Sequence, residues 1–139
     1  MPKRIIADSG YWFALFNERD DYHCEAMVIQ EEIEVHSLLI PWPTLYEAIN
    51  TRFIRRKHDA IRLKRFLDLP STVLLVDDPY REESLAFVLG NSIHSFSLVD
   101  HVVRSMLADE SLSIDGFIGF NPRDFYDICY SRGIEMLYR

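Results

Sequence analysis

Three acidic residues far apart in the sequence each stand where an apolar segment gives way to a predicted helix: Asp8, Glu47 and Asp100. Asp8 directly follows the apolar segment 4–7, and Glu47 follows the segment 38–43. In alternating strand–helix proteins such junctions gather at one edge of a parallel sheet, where ligands bind. Carboxylates in one crevice repel each other unless a cation neutralises them, and Mg²⁺ prefers oxygen ligands. The pattern therefore predicts a divalent-metal site and a metal-dependent phosphoryl-transfer enzyme.

The elements that position these acids alternate along the chain. The predicted strands are 3–7, 38–40, 73–76, 113–120 and 134–137. The predicted helices are 23–35, 44–53, 59–68, 77–90, 97–107 and 122–132. Such alternation predicts an α/β fold, a three-layer α/β/α sandwich around a central, mostly parallel sheet. The length of 139 residues suits a single domain, residues 1–139.

The same acids also have a structural interpretation as helix caps. Thr44–Glu47 and Ser97–Asp100 both fit the capping-box pattern, in which the side chains at its two ends bond to backbone N–H groups. Asp8 could be the N-cap of a helix that begins at Ser9. Ser9 and Ser97 could each hydrogen-bond a carboxylate or a bound phosphate. Capping and metal binding can coexist around one site, so both interpretations stay open.

The basic residues are concentrated in one segment. Although the net charge of −7 argues against nucleic-acid affinity over the whole surface, residues 52–65 hold 7 of the 15 Lys and Arg, opposed only by Asp59. These bases are Arg52, Arg55, Arg56, Lys57, Arg62, Lys64 and Arg65. A basic segment beside an acidic cleft suits a polyanion that is held by its phosphates and cut at a metal. The alternative is a solvated helix face whose Arg stems cover apolar neighbours.

Composition excludes several classes of protein. The chain is 48% hydrophobic, which is too apolar for a disordered protein, yet it lacks a run of about 20 apolar residues that could span a membrane. The first residues do not form a secretory signal. Cys24 and Cys129 lack metal or redox spacing and are expected to be buried, reduced thiols of a cytoplasmic protein. No P-loop, dinucleotide-binding glycine motif or G-x-S-x-G elbow is present.

Four short motifs give the chain a resemblance to a known family. They are IIADS at 5–9, PWPTLYEAIN at 41–50, SLVD at 97–100 and GFNPRDF at 119–125. In this order, and in a chain of this length, they resemble the PIN-domain nucleases. Among these nucleases the chain is similar to the small VapC-like toxins of type II toxin–antitoxin systems. The resemblance covers essentially the whole chain.

The resemblance implies three metal ligands that are also the catalytic residues: Asp8, Glu47 and Asp100. Asn121 stands where the family usually has a fourth acid or Asn, and Asp124 matches an acid that often precedes a Phe. Gly119 stands where the family frequently has Thr. The fourth position therefore remains open between Asn121, Asp124 and, just before this motif, Asp115.

By the same resemblance, the activity is hydrolysis of RNA phosphodiester bonds with Mg²⁺ or Mn²⁺ as cofactor. Neighbouring phosphates would be held by part of the basic segment: Arg52, Arg55, Arg56 and Lys57. The implied partners are a small antitoxin protein and a second copy in a homodimer, in the cytoplasm and not at a membrane. The alternatives are a catalytically weak or inactive PIN-like module that binds RNA or protein, and a metal-dependent phosphatase on another α/β fold.

Two further expectations concern single side chains. In the aromatic segment 11–16 we expect Phe13 in the core, and the positions of Trp12 and Phe16 stay open. Arg104 lies one helical turn after Asp100, which favours an ion pair within the helix.

Overall fold

Five strands form one sheet in the computed structural model, which describes residues 2–137. They are β1 (Arg4–Ala7), β2 (Ser37–Pro41), β3 (Val73–Leu75), β4 (Gly116–Ile118) and β5 (Glu135–Leu137). Their order is β3-β2-β1-β4-β5, and every neighbouring pair is parallel. The predicted parallel sheet is thus confirmed. The order reverses between β1 and β4, which is the place where open α/β sheets bind ligands at their carboxyl edge.

Eight α-helices and two 3₁₀ helices connect the strands in the described part of the chain. They are α1 (Ser9–Phe16), α2 (His23–Ile33), α3 (Trp42–Ala48), α4 (Thr51–Arg55), α5 (Lys57–Asp68), α6 (Asp78–Val88), α7 (Leu98–Ala108) and α8 (Tyr126–Arg132), with 3₁₀ helices at Glu110–Leu112 and Pro122–Asp124. The predicted helix 44–53 is in fact two helices. The Asn50 side chain accepts a hydrogen bond from the Phe53 N–H at 2.9 Å, so a new helix begins there.

The two faces of the sheet bury separate hydrophobic cores. Along β1, Ile5 and Ala7 pack with residues of α1 to α5, whereas Ile6 packs on the opposite face with residues of α7 and α8. Ile6 lies opposite Leu39 of β2 and Phe117 of β4, which belong to the same face. This alternation follows from the two-residue period of a strand. The predicted three-layer α/β/α sandwich is confirmed.

Helix α1 contradicts the prediction for Phe13 and settles the positions of Trp12 and Phe16. Trp12 is 1% exposed and Phe16 is buried, but Phe13 is 44% exposed. Trp12 and Phe16 lie four residues apart on one face of the helix, and their rings stack at 6.1 Å between centroids. Phe13 points away from that face, so the expectation that it lies in the core is wrong.

Two expectations from composition have different outcomes. Cys129 is buried as expected, but the prediction is wrong for Cys24, which is exposed on α2. None of the helices within residues 2–137 has the length and apolar character needed to cross a bilayer.

Candidate functional site

Asp8 stands at the carboxyl end of β1, beside the point where the strand order reverses. Its N–H donates to the Ile118 carbonyl at 2.9 Å, which extends the pairing of β1 with β4 by one residue. Its Oδ1 accepts a hydrogen bond from the Ser9 N–H at 2.9 Å, so Asp8 is the N-cap of α1. The predicted capping role is confirmed. The residue is therefore fixed by the strand before it and by the helix after it.

Glu47 reaches the same edge from α3, but without the predicted capping box. Helix α3 begins at Trp42, so Thr44 lies inside it, and the Thr44 hydroxyl donates to the Pro41 carbonyl at 2.6 Å. The capping-box prediction for Thr44–Glu47 is thus wrong, because the helix starts earlier than the pattern suggested. Glu47 Oε1 instead accepts a hydrogen bond from the Ser9 hydroxyl at 2.7 Å. This bond joins α3 to the start of α1.

Asp100 lies in the first turn of α7, where the predicted capping box is confirmed. The Asp100 N–H donates to Ser97 Oγ at 3.0 Å, and the Ser97 N–H donates to Asp100 Oδ2 at 3.3 Å. The carboxylate is therefore held over the amino end of its helix, where the helix dipole favours a negative charge.

The electrostatics of Asp8 show that these acids share one region. Burial raises the pKa of Asp8 from 3.8 to about 7, against the lowering effect of the Ser9 N–H. The charges of Asp100, Glu47 and Asp124 raise it further. Like charges act in this way only when they lie close together. Three carboxylates from separate parts of the chain therefore lie near enough to Asp8 for their charges to act on it.

The residues proposed for the fourth position lie in different places. Asn121 precedes the 3₁₀ helix at the carboxyl edge, and its Nδ2 donates to Asp124 Oδ2 at 2.6 Å. Asp115, in contrast, accepts a hydrogen bond from the Arg4 N–H at 2.9 Å. Arg4 begins β1, so Asp115 lies at the opposite end of the sheet from Asp8. Asp115 is therefore excluded from the site.

Steric crowding explains why Gly, and not Thr, occupies position 119. The family that the chain resembles frequently has Thr there. A Cβ atom at residue 119 would lie 2.8 Å from the Phe117 ring. Phe117 is fully buried and packs on Phe125 with ring centroids 4.7 Å apart. A larger residue at position 119 would have to displace this packed ring.

Arg104 connects α7 to the segment that carries Asp124. Its guanidinium donates to both carboxylate oxygens of Asp127, at 2.7 and 2.8 Å, and to the Asp124 carbonyl at 2.6 Å. It also lies over the Phe96 ring, 4.6 Å from its centroid. The expected ion pair with Asp100 is therefore wrong. Sequence reasoning missed these partners because they lie 20 and 23 residues further along the chain.

The basic segment begins in α4, directly after α3, and continues into α5. Arg52 and Arg56 line a cavity of about 240 Å³ together with Phe13 and Ala48, the residue after Glu47. All four residues proposed to hold phosphates are exposed: Arg52, Arg55, Arg56 and Lys57. Arg56 is 3.9 Å from Asp59, a separation that leaves its charge largely available at the surface.

The residue types at this edge fit a hard divalent cation. Every charged group that shifts the pKa of Asp8 is an acid, so a bound cation would relieve the repulsion. One oxygen of each carboxylate makes the local hydrogen bond described above, and a carboxylate has a second oxygen for a ligand. However, within residues 2–137 no group of three or more His, Cys, Asp or Glu side chains is arranged to hold a metal as it stands. Binding would require these side chains to close around the ion.

Comparison with known proteins identifies the fold. No protein-family model and no curated protein sequence matches the chain. Among solved structures, the chain is similar to VapC20 of Mycobacterium tuberculosis, described as a toxin that cleaves the sarcin-ricin loop. The likeness covers 88% of this chain and 94% of that one, with a TM-score of 0.70 and 16% sequence identity. At this identity the likeness carries the fold alone, and the chain has the PIN-like α/β/α fold that the sequence motifs predict.

Proposed function

We propose that the protein is a Mg²⁺- or Mn²⁺-dependent endoribonuclease and the toxin of a type II toxin–antitoxin system. One observation carries the proposal. The charges of Asp100, Glu47 and Asp124 act together on Asp8 at the carboxyl edge where the strand order reverses. A fold shared with a toxin that cleaves RNA supports the same assignment.

In this proposal the metal would be held by Asp8 and Asp100, with Glu47 as a third ligand and Asp124 or Asn121 completing the set. A bound divalent cation supplies a Lewis acid for the scissile phosphate and lowers the pKa of a bound water. The protein's own contribution is to fix the ligands. Ser9 orients Glu47, and the caps of α1 and α7 orient the two aspartates.

The substrate would be held by its backbone at the basic segment. Arg52 and Arg56 lie in the cavity that also includes Ala48, next to Glu47 in sequence. Guanidinium groups recognise phosphate through paired hydrogen bonds. Arg55 and Lys57 would add charge at the exposed rim. The proposed partners are a small antitoxin protein and a second copy of the chain, in the cytoplasm.

A second candidate is a PIN-like module that binds RNA or protein without cleaving it. The observation in its favour is that the described residues present no ready group of metal ligands. A phosphatase is the third candidate, since clustered carboxylates with a metal can also act on phosphomonoesters.

The test is cleavage of a single-stranded RNA with Mn²⁺ by the wild type and by the Asp8→Asn and Asp100→Asn variants. We expect cleavage by the wild type and its loss in both variants. Equal residual cleavage in all three proteins would point to a contaminant and reject the enzyme. Hydrolysis of p-nitrophenyl phosphate without cleavage of RNA would favour the phosphatase.

A further inference from the structure

A groove lined by aromatic side chains leads away from Glu47 across the carboxyl ends of β2 and β3. It consists of two cavities, of about 340 and 480 Å³, that share Tyr46, Asp77 and Arg81 in their walls. The first cavity includes Glu47, and the second includes Trp42. The groove is therefore continuous with the candidate site.

Two exposed rings form one wall of this groove. Trp42 and Tyr46 lie four residues apart on one face of α3, with ring centroids 6.3 Å apart. Trp42 is 38% exposed and Tyr46 is 78% exposed. Across the groove, apolar side chains of α7 complete the lining, namely Leu98, Val99 and Val102. The groove thus offers ring faces and apolar surface to a flat partner.

The charges of the groove are already paired or negative. The Arg81 guanidinium lies 3.0 Å from Asp77 Oδ1 and 2.8 Å from Asp78 Oδ1, so its charge is compensated by its own neighbours. Glu47 at the inner end is an acid. Among the groove's described residues no basic side chain is left to attract a phosphate. The chemistry favours an uncharged, planar group over an anion.

We propose that Trp42 and Tyr46 form a stacking site for an unpaired RNA base next to the phosphate that is cut. This inference rests on the proposed function. Bases stack on aromatic side chains without regard to sequence, and the basic segment beyond α3 supplies the phosphate contacts that this groove lacks. An RNA duplex keeps its bases stacked inside the helix, so the site selects single strands.

The test measures binding of a single-stranded RNA decamer to the Asp8→Asn protein and to further variants in that background. Tyr46→Ala removes the ring, and Tyr46→Phe keeps it. Tyr130→Ala is the matched control, because Tyr130 is 76% exposed on α8, outside the groove. Trp42 fluorescence reports contact directly, since the second tryptophan, Trp12, is only 1% exposed.

We expect Tyr46→Ala to weaken binding of the single strand by about 5- to 150-fold, the range for loss of one base–aromatic stack. Tyr46→Phe and Tyr130→Ala should bind like the parent protein. The single strand should quench Trp42, and a blunt duplex of the same sequence should not.

Four results would overturn the inference, and three of them come from binding and assembly: Tyr46→Ala binding like Tyr130→Ala, equal quenching by the duplex, or dissociation of a homodimer by Tyr46→Ala in light scattering. The last result would assign the rings to an interface between copies. The fourth result is a cleavage rate, measured with Asp8 intact and at RNA concentrations below saturation. If the wild type cleaves RNA and Tyr46→Ala cleaves it equally fast, the stacking site is wrong and the nuclease stands. If no form binds or cleaves RNA, the proposed function itself fails.

Discussion

Replacing Asp8 by Asn should stabilise the folded protein at neutral and alkaline pH in the absence of metal. The pKa of Asp8 is raised from 3.8 to about 7, by burial first and then by the charges of Asp100, Glu47 and Asp124. Between these pH values the folded state keeps a proton that the unfolded state has lost. The free energy of unfolding therefore falls as the pH rises through this window, and the Asp8 contribution is fully favourable only below about pH 3.8.

The size of the effect follows from the pKa difference. The shift is 7 − 3.8 = 3.2, and each unit corresponds to about 1.36 kcal/mol, so ionised Asp8 destabilises the fold by about 4 kcal/mol at pH 8. At pH 5 the folded carboxyl is still protonated, whereas the same carboxyl in the unfolded chain is mostly ionised. The penalty is then only about 2 kcal/mol, the cost of keeping a proton that the unfolded chain would release. Asn cannot ionise, and its side-chain oxygen can still accept the Ser9 N–H that caps α1.

Urea unfolding in EDTA at pH 8 and pH 5 measures both quantities. We expect a gain of about 4 kcal/mol for Asp8→Asn at pH 8 that shrinks to about 2 kcal/mol at pH 5. Glu82→Gln is the control, because Glu82 is an exposed carboxylate on α6 and should show little change. A variant that is no more stable than the wild type at pH 8, or whose gain grows on acidification, would refute the electrostatic argument.

Three further outcomes are expected. Mn²⁺ should raise the melting temperature of the wild type, reversibly with EDTA, and leave Asp8→Asn unchanged in differential scanning fluorimetry, since a cation relieves a repulsion that the variant has lost. Arg104→Met should lower the free energy of unfolding in urea by about 1–3 kcal/mol, because the segment before α8 loses its charged donor. The same variant should weaken Mn²⁺ binding in calorimetry. Arg132→Met, which breaks an ion pair at the surface, should leave Mn²⁺ binding unchanged. Trp12→Ala should cost about 3–5 kcal/mol in urea unfolding and the exposed Phe13→Ala much less, and equal losses would contradict the orientation of α1.

The sequence predicted the parts of the fold that depend on local patterns. The five strands and the layers follow from apolar segments that alternate with helical periodicity, and parallel pairing follows from the connections between them. The same logic predicted that Asp8, Glu47 and Asp100 would come to one edge, because each follows or faces the end of a strand. Strand order was not predictable, since it depends on which faces pack together.

Predictions failed where one local pattern allowed two structures. Thr44 fits a capping position, but Pro41 and Pro43 already suit a helix start, so the helix begins before Thr44. Arg104 fits a pair with Asp100 at one turn's distance, but the capping box engages the Asp100 carboxylate with Ser97. The partly buried Arg104 guanidinium instead donates to Asp124 and Asp127, which the fold brings next to it. Spacing along the chain cannot reveal such partners.

The caps themselves argue that the acids have a role beyond helix structure. A carboxylate that only caps a helix is stabilised by the backbone N–H it accepts, and this lowers its pKa. For Asp8 the Ser9 N–H has this effect, yet burial and three neighbouring carboxylates outweigh it, so the net shift is upward. Ser, Thr or Asn would cap α1 equally well without that penalty. Asp8 therefore lowers the stability of the fold at a position where a neutral residue would cap the helix. This favours a function for Asp8 as a ligand of a cation.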